Sequence, residues 1–260
     1  MQDFLKHIIR EAGEMGKKYF FKGVSYTVKS HPADFLTEAD TAISEFLVNA
    51  IKEKYPNHHI KSEEMKDDLN AGSEYEWVID PIDGTWAFVN GIGTWAVMVA
   101  VVKNGEPYIA AVFFPLPDHL FFAEQGKGAF LNDTQIKVDN TKEIHKTRGH
   151  FISRFEPAGP YGEQCSRFRK LCARFVQETE VRIMNFGNSA SMCYVAKNSF
   201  NFAIANAGLD WDRLAVDLIC REAGAVVTDS DGNPWKRGRQ DIIIANEFLH
   251  PQIMELINKE

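Results

Sequence analysis

Residues 77–85 place two acidic side chains directly after an apolar strand. The stretch reads WVIDPIDGT, in which three apolar residues predict a buried strand and Asp80 and Asp83 follow it, separated by Pro81 and Ile82. Ionised carboxylates that are removed from water must be paired or must coordinate a metal. Any fold that this chain adopts therefore has to supply a cation at the end of this strand.

The same stretch indicates which cation fits. Pro81 cannot donate to a sheet ladder, so it predicts that the strand ends here and that Asp80 and Asp83 turn towards one point. The carbonyl group of Ile82 can add a neutral oxygen ligand. An all-oxygen ligand set favours Mg²⁺, whereas Zn²⁺ prefers His or Cys. The alternative for an isolated motif of this kind is that the two aspartates only cap a turn.

The two residues that follow suit an anion. Gly84 lets the backbone approach a ligand closely, because it carries no side chain. Thr85 supplies a hydroxyl group at a predicted helix N-terminus, where phosphate binds readily.

The first half of the chain predicts two helices and then an antiparallel sheet. Apolar residues recur at helical spacing over residues 3–21, and Thr37 opens a capping box with Asp40 that begins a second helix. Asn104-Gly105 predicts a hairpin between two strands. Runs rich in Val, Ile, Phe and Trp predict strands at 76–80, 95–103, 107–114 and 119–123.

The second half alternates helices and strands. A polar segment at 132–162 predicts a seam between two domains, residues 1–145 and residues 146–260. The predicted elements beyond it are helices at 164–179, 189–197 and 211–223, strands at 181–185, 200–205, 225–228 and 242–245, and a C-terminal helix. This order predicts an α/β fold of layered α+β type.

Composition narrows the function classes. The formal net charge of −7 argues against a nucleic-acid surface. The N-terminus is typical of an amphipathic helix rather than a signal peptide, and no run approaches the roughly 18 apolar residues that span a membrane. The four cysteines show no CxxC spacing, which indicates reduced thiols. We therefore expect a cytoplasmic protein with neither a nucleic-acid nor a membrane partner.

Three further acidic groups lie far apart in the sequence. The first surrounds the start of the second helix, the second follows a short apolar run, and the third opens the helix at 211–223. Their members are Asp34, Glu38 and Asp40, then Glu63 and Glu64, then Asp212 after Trp211.

Taken together, these motifs resemble the inositol monophosphatase family of Mg²⁺-dependent, lithium-sensitive phosphatases. The stretch WVIDPIDGT is similar to the family signature, and the other acidic groups occur in the family's order over nearly the whole chain. The resemblance implies an inositol-monophosphatase-like αβαβα sandwich, a homodimer, and hydrolysis of a small soluble phosphate ester.

The resemblance also implies metal ligands. Glu63, Asp80 and the Ile82 carbonyl group would hold one Mg²⁺, and Asp80, Asp83 and Asp212 would hold a second. Glu63 would also reach a third, weaker ion through water. The N-terminal domain would thus carry most ligands, and the C-terminal domain would carry Asp212 and the loops that face the substrate.

By the same resemblance, Glu63 and Thr85 would position and deprotonate the attacking water, and Asp40 would orient Thr85. Two alternatives stay open for Lys29: it is a solvated surface residue, or it reaches the active site. The phosphate would be bound by backbone groups of Gly84, Thr85, Gly187, Asn188 and Ser189.

The substrate pocket departs from the family pattern. Members that cleave inositol phosphates carry a glutamate several residues before the Trp-Asp pair, and here no glutamate is present in that stretch. Only Asn206 and Asp210 remain as candidate contacts for a polyol. A site built to bond hydroxyl groups loses strongly when a partner is missing. Inositol monophosphate is therefore not the expected substrate.

Two classes of function stay open. The first is a phosphomonoesterase, for which histidinol phosphate, a sugar phosphate, an inositol phosphate and an adenosine 3′,5′-bisphosphate stay open as substrates. The run from Trp86 to Trp95 adds aromatic and apolar surface near the site, which favours a histidinol-phosphatase-like or broad activity. The second is a catalytically weak metabolite-sensing or regulatory protein on the same fold.

Overall fold

The computed structural model describes residues 1–29, 35–153 and 162–259. The helices of these ranges are α1 (Gln2–Lys22), α2 (Glu38–Lys54), α3 (Thr85–Val89), α4 (Gly162–Glu178), α5 (Asp210–Glu222) and α6 (Leu249–Asn258), with a 3₁₀ helix at Ala190–Val195.

The strands fall into a seven-stranded, a five-stranded and a two-stranded sheet. The short sheet pairs β1 (Tyr26–Val28) with β2 (Phe35–Thr37). The strands that build the seven-stranded sheet are β3 (His59–Ser62), β4 (Tyr75–Asp83), β5 (Ala96–Lys103), β6 (Glu106–Phe114), β7 (His119–Glu124), β8 (Gly128–Leu131) and β9 (Thr134–Ile136), in that spatial order. The strands that build the five-stranded sheet are β10 (Arg148–Ile152), β11 (Arg182–Met184), β12 (Phe202–Ala205), β13 (Val226–Thr228) and β14 (Ile242–Ala245), in the spatial order β11-β10-β12-β14-β13.

Three apolar cores join these elements into five layers. Helices α1 and α2 pack on one face of the seven-stranded sheet. Helix α5 and the 3₁₀ helix fill the space between the other face and the five-stranded sheet. Helices α4 and α6 cover the outer face of the five-stranded sheet. The predicted αβαβα sandwich is thus confirmed.

Most predicted elements are present, with some differences. The hairpin at Asn104-Gly105 joins β5 and β6, and the capping box of Thr37 and Asp40 is formed. The helix predicted at 189–197 is a shorter 3₁₀ helix. The predicted seam at 132–162 contains β9 and β10. Strand β9 has three residues at the edge of its sheet, and β10 has five residues of which only the last two are strongly apolar, so both carry little apolar pattern. The division into two domains at residue 145 stays a prediction.

The prediction that Pro81 ends the strand is wrong in an informative way. Strand β4 continues to Asp83, but its pairing with β5 shifts: Asp80 faces Met98 and Asp83 faces Ala96. Three steps on β4 thus match two on β5, so β4 carries one extra residue, a β-bulge. Pro81 fits within the bulge because the ladder is interrupted there.

The bulge decides where the two aspartates point. Side chains alternate between the faces of a strand, so residues three apart normally lie on opposite faces. The extra residue restores the same face for Asp80 and Asp83. Their partners Met98 and Ala96 belong to the core that contains α5. Both carboxylates are therefore directed towards the layer that contains α5.

The N-terminal cap of α2 offers a test of how the fold positions Asp40. The Thr37 hydroxyl accepts from the backbone of Ala39 and Asp40, and the Asp40 carboxylate accepts from the Thr37 backbone at 2.8 Å. We expect Thr37→Ala to lower the free energy of unfolding by about 1 kcal/mol, because a capping acceptor is lost.

The measurement is urea denaturation followed by circular dichroism, with Thr37→Ser as the control that keeps the hydroxyl group. Equal stability of Thr37→Ala and the wild type would contradict the role of the cap.

Candidate metal centre

Three aspartates from distant parts of the chain converge between the two large sheets. Asp80, Asp83 and Asp212 each offer a carboxylate oxygen, and the three oxygens lie within 4.8 Å of one another. The first two come from the bulge of β4, and the third comes from the first turn of α5. The structure therefore brings together three of the predicted metal ligands.

Asp212 is fixed by the chain just before its helix. Its Oδ2 accepts a hydrogen bond from the backbone N–H of Leu209 at 2.6 Å. A carboxylate in the first turn of a helix is also stabilised by the helix dipole. Asp212 is therefore held at the N-terminus of α5 while it is directed at the bulge.

Asp83 is fixed by a turn from the second half of the chain. Its Oδ1 accepts from the backbone N–H of Ser189 at 3.0 Å, and its Oδ2 accepts from that of Ala190 at 2.5 Å. Both donors lie more than 100 residues away in sequence. Charge-assisted bonds of this kind are stronger than bonds between neutral groups, so Asp83 has a defined orientation.

Asp80 lacks comparable support. Its side chain is 2% exposed, and within the described residues its buried Oδ1 has no hydrogen-bond partner. A buried acceptor without a partner costs about 1–3 kcal/mol, and more when it is charged. The same carboxyl group lies beside two further carboxylates, which is the environment that a divalent cation would compensate.

The pKa values of these acids also indicate that their negative charges are not compensated within the protein. Burial raises the pKa of Asp80 well above its usual range, and the charges of Glu63, Asp83 and Asp212 raise it further. Burial and the charge of Asp212 raise the pKa of Asp83 to about 7. Burial raises the pKa of Glu63 to about 7, although Lys29 opposes the shift. Without a cation, these groups resist ionisation at neutral pH.

The residues present fit a hard divalent ion such as Mg²⁺. The donor set consists of oxygen atoms alone, which suits Mg²⁺ and is poor for Zn²⁺. Among the residues that the structure describes, the Asp80 carboxyl group has an oxygen without a partner, and the three carboxylates are close enough to reach a single ion. The number of ions held here, predicted as two or three, stays a prediction.

Glu63 lies beside the aspartates but takes a different partner. It follows β3, and its backbone N–H donates to the Ile79 carbonyl group at 3.0 Å, next to the end of β4. Lys29 bridges Glu63 at 2.9 Å and Glu64 at 2.7 Å. Burial disfavours the Lys29 charge, but both glutamates more than offset this, so the lysine pKa is raised.

Lys29 is thus in contact with the predicted site and is not a freely solvated residue. The role of Glu63 as a metal ligand stays a prediction. Asp34, the acid nearest to Lys29 in the first group, lies outside the described residues.

Thr85, Asp40 and Ile82 form a small cluster beside the metal centre. The Thr85 hydroxyl lies 3.0 Å from the Ile82 carbonyl oxygen and 3.4 Å from Asp40 Oδ1. Burial raises the pKa of Asp40 to about 6, while its bonds from Thr37 lower it. The structure therefore places these residues together, as predicted, and their catalytic roles stay predictions.

The predicted phosphate-binding segments meet each other. Gly84 has φ of 93°, a conformation that favours glycine, and a Cβ atom here would lie 3.0 Å from that of Asn188. The Gly187 N–H donates to Asn185 Oδ1 at 2.8 Å, and the Ser189 N–H donates to Asp83. Two of the predicted phosphate donors thus already have partners within the protein.

The two predicted polyol contacts are also engaged. Asp210 accepts from Arg237 Nε at 2.6 Å and from the Gly238 N–H at 3.2 Å. Asn206 is buried, and its amide nitrogen lies 3.7 Å from Cys165 Sγ in α4. Both assignments as substrate contacts stay predictions, and the geometry gives each residue a structural contact.

Sequence reasoning missed several charged residues around the centre. Arg213 is fully buried and donates to Ser189 Oγ at 2.8 Å. Arg237 bonds Glu76 with both terminal nitrogens and ties it to Asp210. One signal was present: Arg213 follows Asp212 and precedes apolar residues on the buried face of α5.

Comparison with known proteins identifies the family. The model of the inositol monophosphatase family matches residues 1–260. The chain belongs to the inositol monophosphatase family. A Haemophilus influenzae relative named Nus factor SuhB is 31% identical over 265 residues, covering 100% of this chain and 96% of the relative.

Further relatives carry other names within this family. A Thermotoga maritima protein named fructose-1,6-bisphosphatase/inositol-1-monophosphatase is 27% identical over 258 residues, covering 99% of this chain and 95% of that protein. The crystal structure of the extragenic suppressor protein SuhB from Bartonella henselae has a TM-score of 0.90 at 24% identity, covering 99% and 98% of the two chains. These matches show the family and the fold. The names of the relatives refer to different functions.

No helix in the described ranges is long and apolar enough to cross a membrane.

The raised pKa values predict how stability depends on pH in the absence of metal. A carboxyl group whose pKa is about 7 in the folded state and 3.8 as its ordinary value stabilises the fold below pH 4. That contribution is lost as the pH rises towards 7. The pKa of Asp80 is raised in the same direction, so we expect Asp80→Asn to be more stable than the wild type in EDTA at pH 8, with a smaller gain at pH 5.

The measurement is urea unfolding in EDTA across pH 5 to 8. Asp231→Asn is the control, because ion pairs with Arg167 and Arg239 lower the pKa of Asp231 and no gain is expected. A pH-independent effect of Asp80→Asn would show that the pKa of Asp80 is not raised in the folded protein.

Proposed function

We propose that this protein is a Mg²⁺-dependent phosphomonoesterase that hydrolyses a small phosphate ester. The observation that supports this most is the buried, unpartnered oxygen of Asp80 among the carboxylates of Asp83 and Asp212. Membership of the inositol monophosphatase family supports the same class of reaction.

In this proposal Asp80, Asp83, Asp212, Glu63 and the Ile82 carbonyl group hold the ions. Bound divalent ions would neutralise charge on the phosphoryl oxygens and lower the pKa of water, so that hydroxide forms near neutral pH.

The other residues position the reacting groups. The Thr85 hydroxyl donates to the Ile82 carbonyl oxygen, so its own lone pairs are directed elsewhere and can accept a hydrogen bond from a water molecule. Asp40 lies close enough to restrict the rotation of this hydroxyl. Glu63 accepts the proton from the water, and Lys29 favours the ionised form that this step requires.

Gly84 and Thr85 are proposed to contact the phosphate through their backbone groups, together with the segment from Gly187 to Ser189. Since the Ser189 N–H already bonds Asp83, we expect this segment to contribute mainly by fixing that ligand.

The contacts of Asp210 bear on which substrates the pocket can bind. Asp210 is held by Arg237 and Gly238, so its carboxylate would have to exchange partners to bond a polyol. This favours a substrate with few hydroxyl groups, such as histidinol phosphate, over a polyol phosphate such as inositol monophosphate. One relative is named fructose-1,6-bisphosphatase/inositol-1-monophosphatase, which supports testing sugar phosphates.

A second candidate function is regulatory. The Haemophilus influenzae relative, at 31% identity, and a Vibrio cholerae relative, at 35% identity, are both named Nus factor SuhB. The prediction that this chain has no nucleic-acid partner is not supported by these names. On this reading the chain keeps the metal centre and acts through a partner, with weak or no turnover.

We also propose that the protein forms a homodimer and is inhibited by lithium, as the family resemblance implies. Ile92 and Met184 are exposed apolar residues on adjoining segments, since Thr94 Oγ1 donates to the Phe186 carbonyl oxygen at 3.0 Å. Light scattering would measure the mass, and a lithium titration of phosphate release would measure the inhibition.

The metal assignment is tested by Asp212→Asn. We expect phosphate release from a panel of phosphate esters with Mg²⁺ to fall by at least about 10³-fold, because one oxygen ligand loses its charge. The panel contains histidinol phosphate, fructose 1,6-bisphosphate and inositol monophosphate, so it also ranks substrates.

Asp217→Asn is the matched control, because Asp217 is a buried aspartate on the same helix that pairs with Arg221. Retained turnover in Asp212→Asn would refute the metal assignment. Absence of turnover in the wild type, with Mg²⁺ still bound, would favour the regulatory function.

A further inference from the structure

Arg213 connects three segments of the chain behind the acidic centre. Its Nη1 donates to Ser189 Oγ at 2.8 Å, its Nη2 donates to the Ala207 carbonyl oxygen, and its Nε donates to the Gln240 carbonyl oxygen at 3.3 Å. The side chain is 0% exposed. A buried guanidinium with several fixed acceptors has little freedom to move, because its donors form a rigid fork.

The first of these contacts leads directly to a proposed metal ligand. Ser189, whose hydroxyl group Arg213 holds, donates its backbone N–H to Asp83, and the next residue, Ala190, donates to the other oxygen of the same carboxylate. A movement of Ser189 would therefore move both donors. The orientation of Asp83 depends on where Arg213 holds this turn.

The second contact leads to the other side of the centre. Arg213 follows Asp212 in the first turns of α5 and holds the carbonyl group of Ala207, which lies just before that helix. Gly208 leaves no room for a side chain, because a Cβ atom there would overlap the guanidinium. Leu209, the next residue, donates to Asp212. Arg213 thus forms hydrogen bonds with the two segments that orient Asp83 and Asp212.

His150 supports the same turn from the five-stranded sheet. Its buried ring donates through Nε2 to the Asn188 carbonyl oxygen at 3.3 Å and stacks on Phe200 at 5.1 Å. This contact steadies the turn but does not reach α5, whereas Arg213 reaches both.

We infer that Arg213 is a positioning residue that sets the spacing of Asp83 and Asp212, and thereby the affinity of the centre for a divalent cation. The inference rests on the proposed metal centre. It assigns Arg213 no contact with the substrate.

The charge of Arg213 and its hydrogen bonds are expected to have opposite effects on the affinity for a divalent cation. A positive charge near the centre repels a divalent cation, so removing the charge would tighten binding. Removing the contact that orients the ligands would weaken binding, since substitutions that support metal ligands typically cost 10- to 100-fold in affinity. Variants that keep the charge and lose the contact therefore separate the two effects.

Two such variants exist. Ser189→Ala removes the acceptor of the Arg213 bond and leaves the arginine and the backbone donors in place. Arg213→Lys keeps the charge and loses the planar fork. Arg221→Lys is the matched control, because Arg221 lies on the same helix and pairs with Asp217 and the Trp235 carbonyl group instead.

The experiment is calorimetric titration of each metal-free protein with Mg²⁺, without substrate, at a temperature where circular dichroism in EDTA shows it folded. We expect the dissociation constant for Mg²⁺ to rise about tenfold or more in Ser189→Ala and Arg213→Lys, and to stay within about twofold in Arg221→Lys.

The outcomes separate this inference from the proposed function. If the wild type binds no Mg²⁺, the proposed metal centre and this inference both fail. If the wild type binds Mg²⁺ and both folded variants bind it equally well, only the role of Arg213 is overturned. Should Arg213→Lys fail to fold, Ser189→Ala decides the question by itself.

Discussion

The burial of several like charges at one strand end is the constraint on which the rest of this structure depends. Asp80 and Asp83 share a face because β4 carries one extra residue between them, and Asp212 enters from the opposite side on α5. Burial raises the pKa values of Asp80 and Asp83, and the charge of Asp212 raises both further. An arrangement of this kind destabilises the free protein and would become favourable with a bound cation, and such shifted pKa values are common at functional sites.

The layers of the fold are what make this arrangement rigid. Helix α5 is packed between two sheets, so the position of its N-terminus is fixed by apolar contacts on both sides. The turn before the 3₁₀ helix delivers two backbone donors to Asp83 from the second half of the chain. Residues from both halves are therefore needed to form one centre, and Arg213 links the segments that carry them.

Much of this could be predicted from the sequence, where local chemistry specifies the outcome. The capping box at Thr37 fixed the start of α2, and Asn104-Gly105 predicted its hairpin correctly. The WVIDPIDGT motif and Trp211-Asp212 predicted the three aspartates that converge. Their resemblance to the inositol monophosphatase family also predicted the five layers, and the match over the whole chain confirmed the family.

The remaining features depend on contacts that no local pattern encodes. The Pro81 bulge requires knowledge of the partner strand, since the shift exists only relative to Met98 and Ala96. The bond between Arg213 and Ser189 joins residues 24 positions apart, and the Arg237 contacts with Glu76 join residues 161 positions apart. The sequence does not decide the role of Lys29, because Glu63 and Glu64 come close to it only in the folded chain.

The central claim is that Asp80, Asp83 and Asp212 together form a binding site for divalent cations. Anomalous diffraction from crystals grown with Mn²⁺ as a substitute for Mg²⁺ tests it most directly. The account predicts an anomalous peak about 2.0–2.3 Å from an oxygen atom of each of the three carboxylates. An ordered centre without such a peak, with the carboxyl groups protonated and bonded to one another, would contradict it.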